Sequence, residues 1–78
     1  MKKTLSDLKP HETAIVSEIQ GGQGLVSRLN ALGIRRGKKI TMIHPVFSRG
    51  PVTVLVDRTH IAIGRGMADK ILVTAEEP

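Results

Sequence analysis

Apolar and polar positions alternate with a period of two over residues 12–19, with Ala14, Val16 and Glu18 on one side and Thr13, Ile15, Ser17 and Ile19 on the other, and the pattern predicts a strand. Residues 2–10 carry no such period and read as an extended arm anchored by Leu5 and Leu8. Gly21, Gly22 and Gly24 then stop the strand, because glycine is entropically costly inside a regular element. From Leu25 the period changes. Apolar residues at Leu25, Val26, Leu29 and Leu32 mark one buried face of a helix, with Ser27, Arg28 and Asn30 pointing outward and with Leu29 and Leu32 assigned to the core. Gly33 suits the left-handed position after the helix end, and Ile34 is then placed to fold back against Leu29 as in a Schellman ending.

Beyond a turn at Arg35-Arg36-Gly37, the period of two returns over 38–44, with Ile40 and Met42 opposite Lys39, Thr41 and Ile43. Pro45 ends that strand. Ser48-Arg49-Gly50-Pro51 forms a second turn, and Val52, Val54 and Val56 share one face of the next strand. Asp57-Arg58-Thr59 permits a tight reversal into 60–63, so these two pieces predict a hairpin. Residues 64–69 allow one helical turn, 70–74 form a last strand with Ile71 and Val73 aligned, and 75–78 are a polar tail. The expectation is a mainly β domain covering 1–78. It has about five short strands curled into a small sheet or barrel, one helix between the first two strands, and a short helical turn before the last.

Composition narrows what such a domain can do. The chain has 78 residues and 40% apolar types but a single aromatic, Phe47, so its core is aliphatic and small. It has no cysteine, which excludes disulfides, thiolate zinc sites, cysteine-ligated clusters and cysteine nucleophiles. The longest apolar runs are three residues and none follows Met1-Lys2-Lys3 as a signal core, so the expectation is a soluble cytoplasmic protein.

Net charge is +5, unevenly placed: residues 28–65 hold Arg28, Arg35, Arg36, Lys38, Lys39, Arg49, Arg58 and Arg65 against Asp57, which is 8 − 1 = +7. Such a field suits an acidic protein surface, anionic headgroups or nucleic acid, and composition does not choose among them.

Catalytic chemistry finds little support. His11, His44 and His60 lie in three segments with no metal-ligand spacing, and the serines show no nucleophile-elbow pattern, so neither a metal nor a cofactor is expected. Gly21-Gly22-Gln23-Gly24 precedes a helix but is followed by Leu25-Val26, where a phosphate loop needs Lys and Ser or Thr. A basic barrel that tracks RNA or single-stranded DNA is the alternative reading. It is disfavoured because Phe47 alone makes no stacking platform, and the same deficit argues against a proline-rich peptide groove.

The order of the pieces carries more than any one of them. Leu5-x-x-Leu8, Ile15 and Ile19, Arg28-Leu29-x-x-Leu32-Gly33-Ile34-x-x-Gly37, Gly50-Pro51-Val52, Ile61-Ala62-Ile63 and Ala68-x-x-Ile71-x-Val73 together resemble the FeoA family across nearly the whole chain. The resemblance implies an SH3-like barrel and a non-enzymatic cytoplasmic accessory of ferrous iron transport. Its partner would be the cytoplasmic part of the membrane transporter FeoB, which carries a GTP-binding domain, so the chain would be peripheral to the inner membrane. The same domain type resembles the C-terminal module of iron-dependent repressors of the DtxR kind, and the short length favours the stand-alone accessory.

In the family pattern Arg28, Leu29, Leu32, Gly33 and Gly37 belong to the helix and turn beside the partner-facing surface, with Gly50 and Pro51 as further structural positions. The partner-binding residues expected on this chain are Arg28, Arg35, Arg36, Lys38 and Lys39, with Leu25 or Val26 exposed as an apolar centre. A homo-oligomer is a further possible assembly. Three positions depart from the pattern: His11 stands where the family usually has glycine, Arg36 replaces a proline before Gly37, and Gly64 occupies a usually bulkier segment.

Overall fold

Apart from two short helices, the chain is a single antiparallel sheet in the computed structural model, which describes residues 3–44 and 50–75. The elements in chain order are β1 (Lys3–Thr4), a 3₁₀ turn (Leu5–Asp7), β2 (Thr13–Ile19), α1 (Gln23–Ala31), β3 (Lys39–His44), β4 (Val52–Val56), β5 (Thr59–Ile63), α2 (Arg65–Ala68) and β6 (Ile71–Ala75). Pro45, Phe47, Ser48 and Arg49, with the turn expected there, and the tail after Ala75 lie outside the described residues.

Six strands stand in the order β1-β6-β2-β3-β4-β5, curled into a small SH3-like barrel, where five were expected. The sixth is β1, inside the segment read as an arm: Lys3 pairs with Val73 and Thr4 with Leu72. Two residues are too few to show a period, and their pairing is with the far end of the chain.

Alternation fills the barrel. Ala14 and Val16 of β2, Ile40 and Met42 of β3, Val52, Val54 and Val56 of β4, Ile63 of β5, and Ile71 and Val73 of β6 form one buried cluster with Leu5, Leu8, Leu29, Ile34 and Ala68. No polar or charged residue is buried among the described residues. Strict alternation would turn Glu18 inward with Ala14 and Val16. Instead the pairing with β6 slips between Val16 and Glu18, and this β-bulge leaves Glu18 exposed.

Helix α1 starts two residues earlier than its apolar period suggested. Gly22 is the N-cap, with no side-chain cap bond, in line with the lack of a good acceptor there. Its end follows the expected motif. The Gly33 N–H donates to the Asn30 carbonyl and the Ile34 N–H to the Leu29 carbonyl, each at 2.9 Å, with Gly33 at φ +89°. Leu32 is a correction: it is not core but 43% exposed, whereas Leu29 is fully buried. The helix stops at Ala31 and Leu32 is its C-cap, with φ −88° and ψ 0°, so the inward place that the helical period would give Leu32 is taken by Ile34.

Three turns rest on left-handed backbone. Gly37 has φ +86° at the third position of the 35–38 turn, closed by the Lys38 N–H donating to the Arg35 carbonyl at 3.0 Å. Val56 pairs with Thr59, so β4 and β5 are joined by the two residues Asp57 and Arg58, at φ +51° and +66°. Those are the signs of a type I′ hairpin turn, built here without glycine. His11 has φ +67° while its N–H donates to the Met42 carbonyl at 2.7 Å, which accounts for glycine at that place in the family pattern.

Candidate functional site

The basic run that begins in α1 divides around the 35–38 turn. On one flank a groove of about 450 Å³ is lined by Ile19, Glu18, Val26, Asn30, Arg35 and Arg36. Its apolar floor joins two elements. Val26 and Asn30 are four residues apart and share one side of α1, while Ile19 sits at the end of β2, past the bulge. Arg35 and Arg36 are exposed at its rim, on the loop that the Gly33 ending directs back toward β3.

Lys38 and Lys39 fall elsewhere. They line a second open depression, of about 430 Å³, with Thr41, Leu55, Asp57 and Arg58. There the Lys38 Nζ lies 2.7 Å from the Asp57 Oδ2, bridging the start of β3 and the β4–β5 turn. Thr41 and Leu55 are cross-strand partners, so the floor of this depression is sheet rather than loop.

Leu25 and Val26 are both half-buried, a correction to the exposed apolar centre expected at one of them. Leu25 packs against the core and folds over Gly21: a Cβ built on Gly21 would lie 2.6 Å from a Leu25 methyl. Val26 keeps its place in the groove, and Leu32 is the large exposed apolar side chain of this region. Arg28 is exposed and lines neither depression.

Ile19 and Asn30 did not stand out in the sequence as site residues. The signal for Ile19 was an apolar residue on the side of its strand opposite the core positions Ala14 and Val16, and for Asn30 its spacing of four from Val26. Gly50 and Pro51 lead into β4 and line neither depression. No helix of the described residues is long and apolar enough to cross a membrane.

Together these features define a small SH3-like barrel with a Schellman-ended helix and basic depressions on either flank of one turn. Residues 3–75 match the FeoA domain model, and the chain belongs to the FeoA family. It is 40% identical over 73 residues to "Putative Fe(2+) transport protein A" of Methanocaldococcus jannaschii, covering 94% of this chain and 87% of that one. A crystal structure of an iron uptake regulatory protein, FeoA, superposes with a TM-score of 0.85 at 31% identity, covering 95% of this chain and 96% of that chain. The solution structure of the FeoA protein from Chlorobium tepidum gives 0.85 at 26% identity, over 95% and 70%. A manganese-dependent transcriptional repressor shares the fold alone, with a TM-score of 0.87 at 17% identity over 96% of this chain and 42% of that chain.

Proposed function

We propose that this chain is a non-enzymatic accessory of ferrous iron uptake. It binds the cytoplasmic part of a FeoB-type membrane transporter and modulates the transporter's assembly or activity. Membership of the FeoA family and the likeness to a relative named for Fe(2+) transport support the iron-uptake role. The observation that carries the docking role is the groove between α1 and β2, where Val26 and Ile19 offer an apolar floor beneath Arg35 and Arg36. An apolar centre with a polar rim is the usual anatomy of a protein interface, and the two arginines, which outnumber the one carboxylate of Glu18, would speed encounter with an acidic surface.

Of the basic residues, Arg35 and Arg36 are the contacts of first rank. Arg28, Leu25, Lys38 and Lys39 are peripheral to the groove.

The test is a binding titration of the purified chain against the isolated cytoplasmic part of the transporter. Arg35→Glu with Arg36→Glu is expected to weaken binding at least tenfold and to remove most of its salt dependence, because screened rim charges are what salt weakens. Unchanged affinity in that double variant would overturn the docking surface. A parallel gel-shift with RNA and single-stranded DNA tests the other reading of the charge: retention of nucleic acid at physiological salt by a chain that ignores the transporter would replace the proposal.

A further inference from the structure

The depression beside the β4–β5 turn does not share a lining residue with the α1 groove, and its chemistry is different. Among the described residues its lining holds Lys38, Lys39 and Arg58 with one carboxylate, Asp57, a formal 3 − 1 = +2. Its floor is Thr41 and Leu55, and no aromatic ring lines it among the described residues.

Two features mark the site as built rather than incidental. Asp57 holds the Lys38 ammonium at 2.7 Å, so one cation is fixed at the wall; the Lys38 side chain is 27% exposed. The floor is also fixed, since Thr41 pairs with Leu55 across the sheet and its Oγ1 lies 2.9 Å from the Thr13 Oγ1.

The turn itself supplies the second argument. Two residues joining β4 to β5 with positive φ call for Asn-Gly or Asp-Gly, yet Arg58 stands at φ +66°. Left-handed backbone is strained at a long side chain where glycine would not be, and retained strain of this kind is a pointer to function. What Arg58 adds there is a further cation in the lining of the depression.

We propose that this depression is a binding site for a phosphate group. An anionic phosphate oxygen suits the net positive lining, a guanidinium presents two parallel donors to such oxygens, and the lysines act as point charges. Guanidinium and ammonium donors recognise the phosphate itself rather than a base. The group can belong to a soluble phosphate compound or to a lipid headgroup, and the shared chemistry is the same.

The experiment is an amide NMR titration of the full chain with sodium pyrophosphate in 150 mM NaCl, beside co-sedimentation with phosphatidylglycerol vesicles and with phosphatidylcholine vesicles. Saturable shifts confined to residues 38–41 and 55–58 are expected, with affinity falling at least tenfold in Arg58→Gly, a variant that relieves the turn, and unchanged in Arg35→Glu/Arg36→Glu. A site that binds pyrophosphate but no vesicles identifies a soluble source. Sedimentation with phosphatidylglycerol alone, lost in Arg58→Gly, identifies the lipid headgroup. Shifts spread over Arg28, Arg35 and Arg36 as well, equal binding by Arg58→Gly, or no response to either probe would overturn the site. Because transporter binding is read separately through Arg35 and Arg36, failure here leaves the docking surface standing, and the reverse.

Discussion

The Ile34 N–H donates to the Leu29 carbonyl at 2.9 Å, and both side chains are fully buried. This one bond caps α1, seats its C-terminal turn on the barrel, and sets the direction in which Arg35 and Arg36 leave the helix. The geometry requires Gly33 at φ +89°. Gly33→Ala is therefore expected to destabilise the fold by about 1 kcal/mol, from backbone strain rather than a clash, since an added Cβ meets nothing nearer than 3.8 Å. A thermal melt should fall by about 4–8 °C. Gly33→Asn, which tolerates the left-handed region better, should fall less.

His11 and Arg58 make the opposite case, because both hold positive φ without being glycine. His11→Gly and Arg58→Gly should each raise stability by about 0.5 kcal/mol, the relief of left-handed strain exceeding the extra freedom glycine gives the unfolded chain. Paired chemical-denaturation curves measure this. A loss of stability in either variant would mean that the side chain contributes more than its backbone costs.

Leu29 and Leu32 are three residues apart in one helix signature yet have different physical roles. Leu29→Ala should cost about 2–5 kcal/mol, a large part of what a domain this small can hold. Leu32→Ser should stay within about 0.5 kcal/mol, as for other surface changes. If Leu32→Ser nonetheless weakens transporter binding, the docking surface extends past the groove onto the helix C-cap.

Glu12 supplies a pH dependence. Its carboxylate accepts the Lys9 backbone N–H at 2.8 Å and the Lys3 ammonium at 3.1 Å, and these, the backbone bond first, hold its pKa below the usual 4.5. A carboxyl whose folded pKa is depressed stabilises the fold above its unfolded pKa and loses that contribution as pH falls through the folded one. Stability should accordingly decline on acidification below about pH 4.5. Glu12→Gln should show a shallower decline over that window, measured by melts from pH 6 to pH 3.

Most of the barrel was legible because it rests on local periods. Val52, Val54 and Val56 alternate inward as their spacing predicts, and the Gly33-Ile34 ending needs only residues within one helical turn. What failed to show depended on partners distant in the chain. The two residues of β1 acquire meaning only against Leu72 and Val73, and the exposure of Glu18 follows from a slip in the same pairing. Leu32 was misassigned because a helical period, extended one residue past the helix, still points inward. The basic run was visible as charge but not as two surfaces, since the split depends on the 35–38 turn and on Asp57, which is close to Lys38 only in the folded chain.

The place of β6 between β1 and β2 has a consequence for how the domain is made. The strand nearest the end of the chain is interior to the sheet, and both of its neighbours come from the beginning. During synthesis β2, β3, β4 and β5 can emerge and pair in sequence, but Ala14 and Val16 lack their cover until Ile71 and Val73 leave the ribosome. Folding is thus gated by the last strand, late and all at once, and a nascent chain stalled before residue 71 should remain open to proteases along most of its length.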